Sequence, residues 1–434
     1  MTMRTTVSTG ITSAESQTLS DSQVLVLAPR FPSINQPWMD TYLEQLAEAS
    51  IPFVVLSRLT APTRYQTKVD ALGLRSRCIA FGDSRGDALA ATVRGLLRQP
   101  FRTVGAAFVA WRVARCESSF ERRVGAALRG LGISVRLAHL GAMRVVHSHA
   151  LQMGYEVIPL ADKRRLPLVL TFHGLAPAGV PQVPLHRRQA VFRRASVVLV
   201  NTEFARAQAI ELGCPPGKLV VLPQGLPLDD FRFVARAAPA LGEPLTLLSV
   251  GRFHRDKGQR YSLLALNRLR RLGVDAHWHF VGVGPDLNRL KAFADRLKIG
   301  AFVTFHNEAS IDELKALYRS CHLLVLASLG ASGGTEHVET QGVVLQEAQA
   351  SGCIPIATRT GGIPECITDG YDGVLVEERS HRAIANAILE LVQHPERWAP
   401  MQQRGRRTVE ERFAAPVVGR RMAQILKEVA GPLD

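Results

Sequence analysis

Short apolar runs, each ended by a glycine or a polar turn and followed by an amphipathic stretch, recur along nearly the whole chain, and this alternation restricts the fold more than any other feature. QVLVLAPRF (23–31), IPFVVLS (51–57), MRVVHSHA (143–150), PLVLTFHG (167–174) and the opening of ASVVLVNTEFARAQAIELG (195–213) read as buried strands. LTLLSV (245–250), WHFVGVG (278–284), LLVLAS (323–328) and CIPIATRTGG (353–362) repeat the pattern downstream. Strands apolar on both faces and separated by helices belong to parallel sheets covered on each side, so the chain reads as α/β throughout. Ligands of such sheets bind at the carboxyl ends of the strands, which directs attention to the loops leaving these runs. At 434 residues the chain exceeds what one core ordinarily supports, and two domains are expected.

The strand LTLLSV runs into Gly251, the cations Arg252 and Lys257, and Gly258, after which a helix begins. Fixed positive charge in such a loop suits a diphosphate and faces the charge that grows as a diphosphate leaves. The next strand ends in Gly282 and Gly284, where missing side chains would let a phosphate or sugar approach the backbone. Beyond LLVLAS the sequence sets Glu339 and Glu347 around Gly342. A helix opening at Val343 would put Glu347 on its first turn, near the positive end of the dipole, with Glu339 in the loop leading in. An ionised carboxylate accepts from two hydroxyls at once, as a ribose diol or a pair of sugar hydroxyls would offer. The last strand of the series enters Gly361-Gly362.

Taken in order, GRFHRDKG (251–258), FVGVGP (280–285), Glu339 with seven intervening residues to Glu347, and TGGIPE (360–365) resemble the donor-binding domain of glycosyltransferase family 4, the retaining enzymes of GT-B fold. The resemblance implies two Rossmann-like domains facing across a cleft, 22–235 for the acceptor and 243–415 for the donor. It also implies a hinge at 236–242 and a C-terminal helix, 416–434, crossing back to the first domain. Arg252 and Lys257 would then hold the donor diphosphate, Glu347 the nucleotide ribose, and Glu339 would lie against the transferred sugar. Gly282, Gly284, Gly342, Gly361 and Gly362 would line the same site. His173, followed by Gly174, matches the TxHG-type element of the family's acceptor domain and joins Glu339, Arg252 and Lys257 as a candidate catalytic residue. His149 matches a strand-end histidine of related enzymes less specifically. Three departures stand out: Glu339-Thr340-Gln341-Gly342 where the family usually has Glu-Gly-x-Pro, Asn307 in place of a glycine near Phe305, and Pro29-Arg30-Phe31-Pro32-Ser33 in place of a Gly-Gly loop.

The function so implied is transfer of a sugar from a UDP- or GDP-sugar to a hydroxyl of a lipid-linked or glycan acceptor, with retention, in the exopolysaccharide or capsule branch of cell-surface polysaccharide biosynthesis. No metal motif appears, so no cofactor is expected, and the two cations would do what a divalent ion does in other transferases. Retention by double displacement needs a carboxylate on the far face of the sugar, while same-face attack guided by the leaving phosphate does not; both remain open. Two other readings stay in view: a sugar-nucleotide epimerase of the same fold, recognisable by turnover of donor without acceptor, and a membrane-surface assembly factor with a degenerate site.

The formal charge of +15 is unevenly spread. Between 93 and 145 ten arginines stand against Glu117 and Glu121, a net of +8, interleaved with Leu, Phe, Val and Trp111. A basic amphipathic segment of this kind suits an anionic lipid surface, and a peripheral position at the cytoplasmic face of the plasma membrane is expected. No nucleic-acid-binding motif accompanies the charge. Residues 1–21 are rich in Ser and Thr, lack the apolar centre of a signal peptide, and read as a disordered tail. The six cysteines form no CxxC pair and several lie in apolar runs, so buried reduced thiols are expected and no zinc site is implied.

Overall fold

The computed structural model describes residues 23–31, 37–59, 77–80, 85–138, 140, 143–175, 182–239, 243–307, 309–331 and 338–431. The tail expected at 1–21, Pro32 and Ser33 of the first-strand loop, and residues 240–242 of the expected hinge lie outside them.

Two sheets, parallel throughout, organise the chain. The first contains β1 (Val24–Arg30), β2 (Phe53–Leu59), β3 (Cys78–Ala80), β4 (Val145–Ser148), β5 (Leu168–Phe172), β6 (Val197–Val200) and β7 (Leu219–Val221), in the order β3-β2-β1-β4-β5-β6-β7. The second contains β8 (Leu245–Val250), β9 (Ala276–Val281), β10 (Val303–His306), β11 (Leu323–Leu326), β12 (Ile354–Thr358) and β13 (Val374–Val376), in the order β10-β9-β8-β11-β12-β13. Each order reverses direction once, between β1 and β4 and between β8 and β11. The loops that part at such a switch point leave a crevice for a ligand.

The helices of the first half are α1 (Pro37–Glu48), α2 (Arg85–Arg98), α3 (Pro100–Ala114), α4 (Phe120–Arg136), α5 (Leu151–Lys163), α6 (Leu185–Arg194) and α7 (Glu203–Glu211). Those of the second are α8 (Gln259–Arg271), α9 (Leu287–Arg296), α10 (Ile311–Ser320), α11 (Val343–Ser351), α12 (His381–Gln393), α13 (Trp398–Arg412) and α14 (Ala415–Ala430). Their starts follow local chemistry: Thr202 caps α7 by accepting from the Ala205 amide, and Ser310 and Glu313 close a capping box on α10.

Each sheet buries a core on both faces. One face of the first sheet is covered by α1 and α14 together, with Val418, Met422, Ile425 and Leu426 packed among Val24, Val26, Met39 and Leu43. The last helix therefore crosses back onto the first domain, anchored where the Ala415 amide donates to the Leu226 carbonyl (2.8 Å) and the Leu226 amide to Phe413 (2.7 Å). Leu226 and Phe231 are buried in the second domain's core beside Tyr318 and Leu345, so the chain changes domain some residues before 236.

Candidate active site

The site is built where β8 and β11 part. Beyond Val250 the backbone turns through Gly251 to Arg252, Phe253 and His254, and one short helical turn, Arg255–Lys257, precedes α8. Asp256 in that turn is buried and gathers the loop's cations: its carboxylate accepts from Arg252 at 3.1 Å and lies 2.8 Å from His254 Nδ1. Burial alone would raise its pKa, but the His254 hydrogen bond and the Lys257 and Arg252 charges outweigh it and hold the carboxyl below its ordinary range. Lys257 reaches across to Glu339 and pairs with it through Oε2, an atom that also accepts from Ser328 Oγ at 3.3 Å. Both members of the pair keep only about a sixth of their side-chain surface exposed, at 16% and 17%. Arg252, Lys257 and Glu339 therefore meet in one place, with their charges largely cancelled among themselves. An incoming diphosphate would replace carboxylates as the partner of two fixed cations.

Glu347 lies deeper. Its carboxylate accepts from Tyr318 Oη at 2.6 Å, and burial raises its pKa against the opposing effect of that bond. The helix expected at Val343 begins there, after Gly342 at φ +74°, but Glu347 is its fifth residue and not on the first turn. Position along the dipole thus contributes little to it, and Tyr318 is what orients the carboxylate. Gly282 and Gly284 prove necessary for packing: a Cβ on the first would come within 2.1 Å of the Gly251 carbonyl oxygen and on the second within 2.3 Å of that of Phe253. They let the β8 and β9 loops lie against each other, whatever else they admit.

The facing rim comes from β4, β5 and β6. His173 follows β5, with Nδ1 3.2 Å from Gln224 Nε2, and Trp38 packs 4.5 Å from its ring. His149 stacks 5.8 Å away, and His147 lies between Tyr42 Oη (2.6 Å) and Thr171 Oγ1 (2.8 Å). Burial holds all three imidazoles neutral, lowering His173 to about 4, His147 to about 3 and His149 well below its ordinary value. Beside them lies a mostly apolar cavity of about 60 Å³, lined also by Asn201, Met422 and Gly419.

The rims touch. Thr202 Oγ1 donates to the Thr340 carbonyl at 2.8 Å, the Gln224 amide donates to Gln341 Oε1 at 2.7 Å, and Glu365 accepts the Glu203 and Phe204 amides at the start of α7 (2.7 and 2.8 Å). Gly361 and Gly362 sit beneath: a Cβ on them would come within 2.1 Å of the Glu339 carbonyl and 1.9 Å of the Thr340 carbonyl, and Gly361 adopts φ +56°. Gly174 abuts Thr340 from the other side. The departure Thr340-Gln341 is thus the segment through which the domains hold each other. Sequence reasoning missed this, together with Asp256 and Tyr318; the only available signal for Asp256 was its place between the two cations.

With this geometry in view, residues 231–408 match the family described as glycosyl transferases group 1, and residues 79–230 match Glycosyltransferase Family 4. The chain belongs to glycosyltransferase family 4. The two matches meet close to where Leu226 and Phe231 enter the second core. Among its relatives is WcaL of Escherichia coli (strain K12), named for colanic acid biosynthesis, 30% identical over 55% of this chain and 58% of that protein. Another is the GDP-mannose-dependent alpha-(1-6)-phosphatidylinositol monomannoside mannosyltransferase of Mycolicibacterium smegmatis, 29% identical over 66% of this chain and 70% of that one. The chain thus spans little more than half the length of the Escherichia coli relative. The crystal structure of Anabaena HepE with UDP and glucose superposes with a TM-score of 0.67 at 15% identity, covering 93% of this chain and 99% of that one, and shares the GT-B fold.

Proposed function

We propose that this family 4 chain transfers a sugar from a nucleoside-diphosphate donor to an acceptor hydroxyl, with retention at the anomeric carbon and without a metal ion. The observation that carries the reading is the convergence of Arg252, Lys257 and Glu339 at the β8/β11 switch point, with Glu347 held by Tyr318 on the helix that follows Glu339. Arg252 and Lys257 meet the diphosphate, and they stabilise it more as the glycosidic bond breaks and charge gathers on its oxygens. Lys257, drawn to phosphate, releases Glu339 to accept from the sugar's hydroxyls. Glu347 accepts from the ribose. Among the described residues, the cavity beside His173 has no carboxylate in its lining, and on that ground we favour same-face attack guided by the leaving phosphate over double displacement. Neutral His173 and Gln224 offer hydrogen bonds without a competing charge, and closure of the two rims keeps out water, which would compete as acceptor.

The donor is a UDP- or GDP-sugar, a reading supported by the GDP-mannose dependence named for the mycobacterial relative. The acceptor is lipid-linked and is reached from an anionic membrane surface. Among the described residues no helix is long and apolar enough to cross a membrane. Instead α3 exposes Phe101, Val104, Phe108 and Trp111, spaced three and four apart on one face, with Phe101 91% and Phe108 70% exposed, and α2 continues the surface with Leu89, Val93 and Leu96. Of the ten arginines nearby, several are turned inward: Arg123 donates to the Glu117 carbonyl, Arg129 pairs with Glu156 at 3.1 Å, and Arg144 donates to the Gly431 carbonyl. The surface is therefore more apolar and less basic than the sequence count suggests. Mass spectrometry and anomeric NMR of products from a panel of sugar nucleotides with lipid-linked acceptors test the reading. A retained anomeric product supports it, and donor converted without acceptor would make the chain an epimerase.

A further inference from the structure

Far along the chain from the charged rim, three side chains that the transfer reaction does not use face one another at the base of the α3–α4 hairpin. Cys116 and Glu117 lie in the turn after α3, His186 in the first turn of α6, and one Cys Sγ, one carboxylate oxygen and one imidazole nitrogen all fall within 4.8 Å of one another. The Glu117 side chain is fully buried, and its Oε2 lies 3.2 Å from His186 Nε2. His186 Nε2 is likewise shielded from solvent, so the carboxylate oxygen and the imidazole nitrogen face each other as a buried pair. Two ligands bonded at ~2.0 Å to one tetrahedral ion stand about 3.3 Å apart, so this pair already has the edge length of a coordination tetrahedron.

The surroundings also suit ligation. Tyr155 Oη lies 3.1 Å from Cys116 Sγ and can donate to a thiolate there, while Arg187 donates to the other Glu117 oxygen, Oε1, at 2.6 Å and so leaves Oε2 turned to His186, where an ion could come between the two. Gln152 steadies the same guanidinium at 3.1 Å. Cys116 is exposed, so an ion and the departing proton have a path to solvent.

We propose that Cys116, Glu117 and His186 form a three-ligand site for a zinc-like divalent ion, with water as the fourth ligand. Thiolate, imidazole and carboxylate together select a borderline-soft ion of this type over magnesium or calcium. Binding forms the sulfur–metal bond as the thiol proton passes to solvent, with no change of oxidation state. The ion ties the α3–α4 turn to α6 and so fixes the base of the hairpin whose outer face carries Phe101 and Phe108. Its place in the fold is separate from the Arg252–Lys257 loop proposed to hold the donor.

Titration of the reduced, metal-free full chain with cobalt(II) tests the site. One equivalent should give the near-ultraviolet band of sulfur-to-cobalt charge transfer and the visible bands of a four-coordinate ion, both displaced by zinc(II). Cys116→Ser should abolish the charge-transfer band, and His186→Gln, at a partly exposed position where folding should persist, should weaken cobalt binding by about tenfold or more. Circular dichroism of each variant should match that of the wild type. Absence of the bands in the wild type overturns the proposal. So does binding by His186→Gln with unchanged affinity, or a charge-transfer band that survives in Cys116→Ser.

Discussion

Both sheets end their strands at the same cleft, yet the loops that leave them differ in chemistry. The β8–β11 rim is charged, with Arg252 paired to Asp256 and Lys257 to Glu339, whereas the β4–β6 rim offers neutral histidines, Trp38 and a small apolar cavity. The contrast separates two tasks. Charge is concentrated where a diphosphate would be held and would leave, and among the described residues it is absent from the lining of the cavity where, on the proposed function, an acceptor hydroxyl would approach.

Removing charge from the first rim tests the contrast most severely. Lys257→Ala and Arg252→Ala should each lower kcat by about a hundredfold or more while changing donor Kd far less, because their interaction strengthens as the bond breaks. Equal loss in kcat and Kd, read by steady-state kinetics and calorimetry, would reduce the cations to simple donor binders. A smaller effect is expected at the ribose. Glu347→Ala should raise the donor Kd by about tenfold or more, since a hydrogen bond to a charged group contributes roughly 1.5 to 3 kcal/mol. Tyr318→Phe, which frees the same carboxylate from its orienting partner, should move Kd in the same direction and by less.

The neutral rim should reveal itself through pH. His147, His149 and His173 are held neutral by burial in the folded chain and titrate near 6.5 when unfolded. Their depressed values mean that the unfolded chain binds more protons in acid, so stability is fully present above about pH 6.5 and falls as pH drops toward about 4. Thermal melting across that window should show a steady fall in Tm, and a flat profile would mean that the three rings are not buried together. The smallest effect concerns the outer surface of the first domain. Phe101→Ser with Phe108→Ser should reduce sedimentation with anionic liposomes several-fold, and Arg112, Arg115 and Arg122 to Gln should reduce it further at low salt only. Binding abolished by salt alone would leave the apolar stripe without a role.

Much of this was legible in the chain. The strand runs, the Arg252–Lys257 loop and the paired glutamates stand in the sequence because the hydrophobic period and local turn chemistry write them there. The short edge strands β3, β10 and β13 were less readable, since three or four residues carry little pattern. Tyr318 and the bridge from Gln341 to Gln224 depend on contacts between residues far apart in sequence, which no single chain displays, while Asp256 pairs locally with Arg252 and His254 and was hidden only because a loop's charges do not announce which of them is buried. The arginine count misled in part for the same reason: a sequence shows charge, while the fold decides which guanidinium groups turn inward to backbone carbonyls.

The most direct measurement of the central claim is calorimetric binding of UDP and GDP in EDTA to the wild type and to the Arg252→Ala, Lys257→Ala double variant. One of the two nucleotides should bind the wild type equally well with EDTA or with magnesium, and the double variant should lose most of that affinity. Binding that appears only when magnesium or manganese is added, or that persists unchanged in the double variant, would contradict the assignment of the charged rim as the diphosphate site.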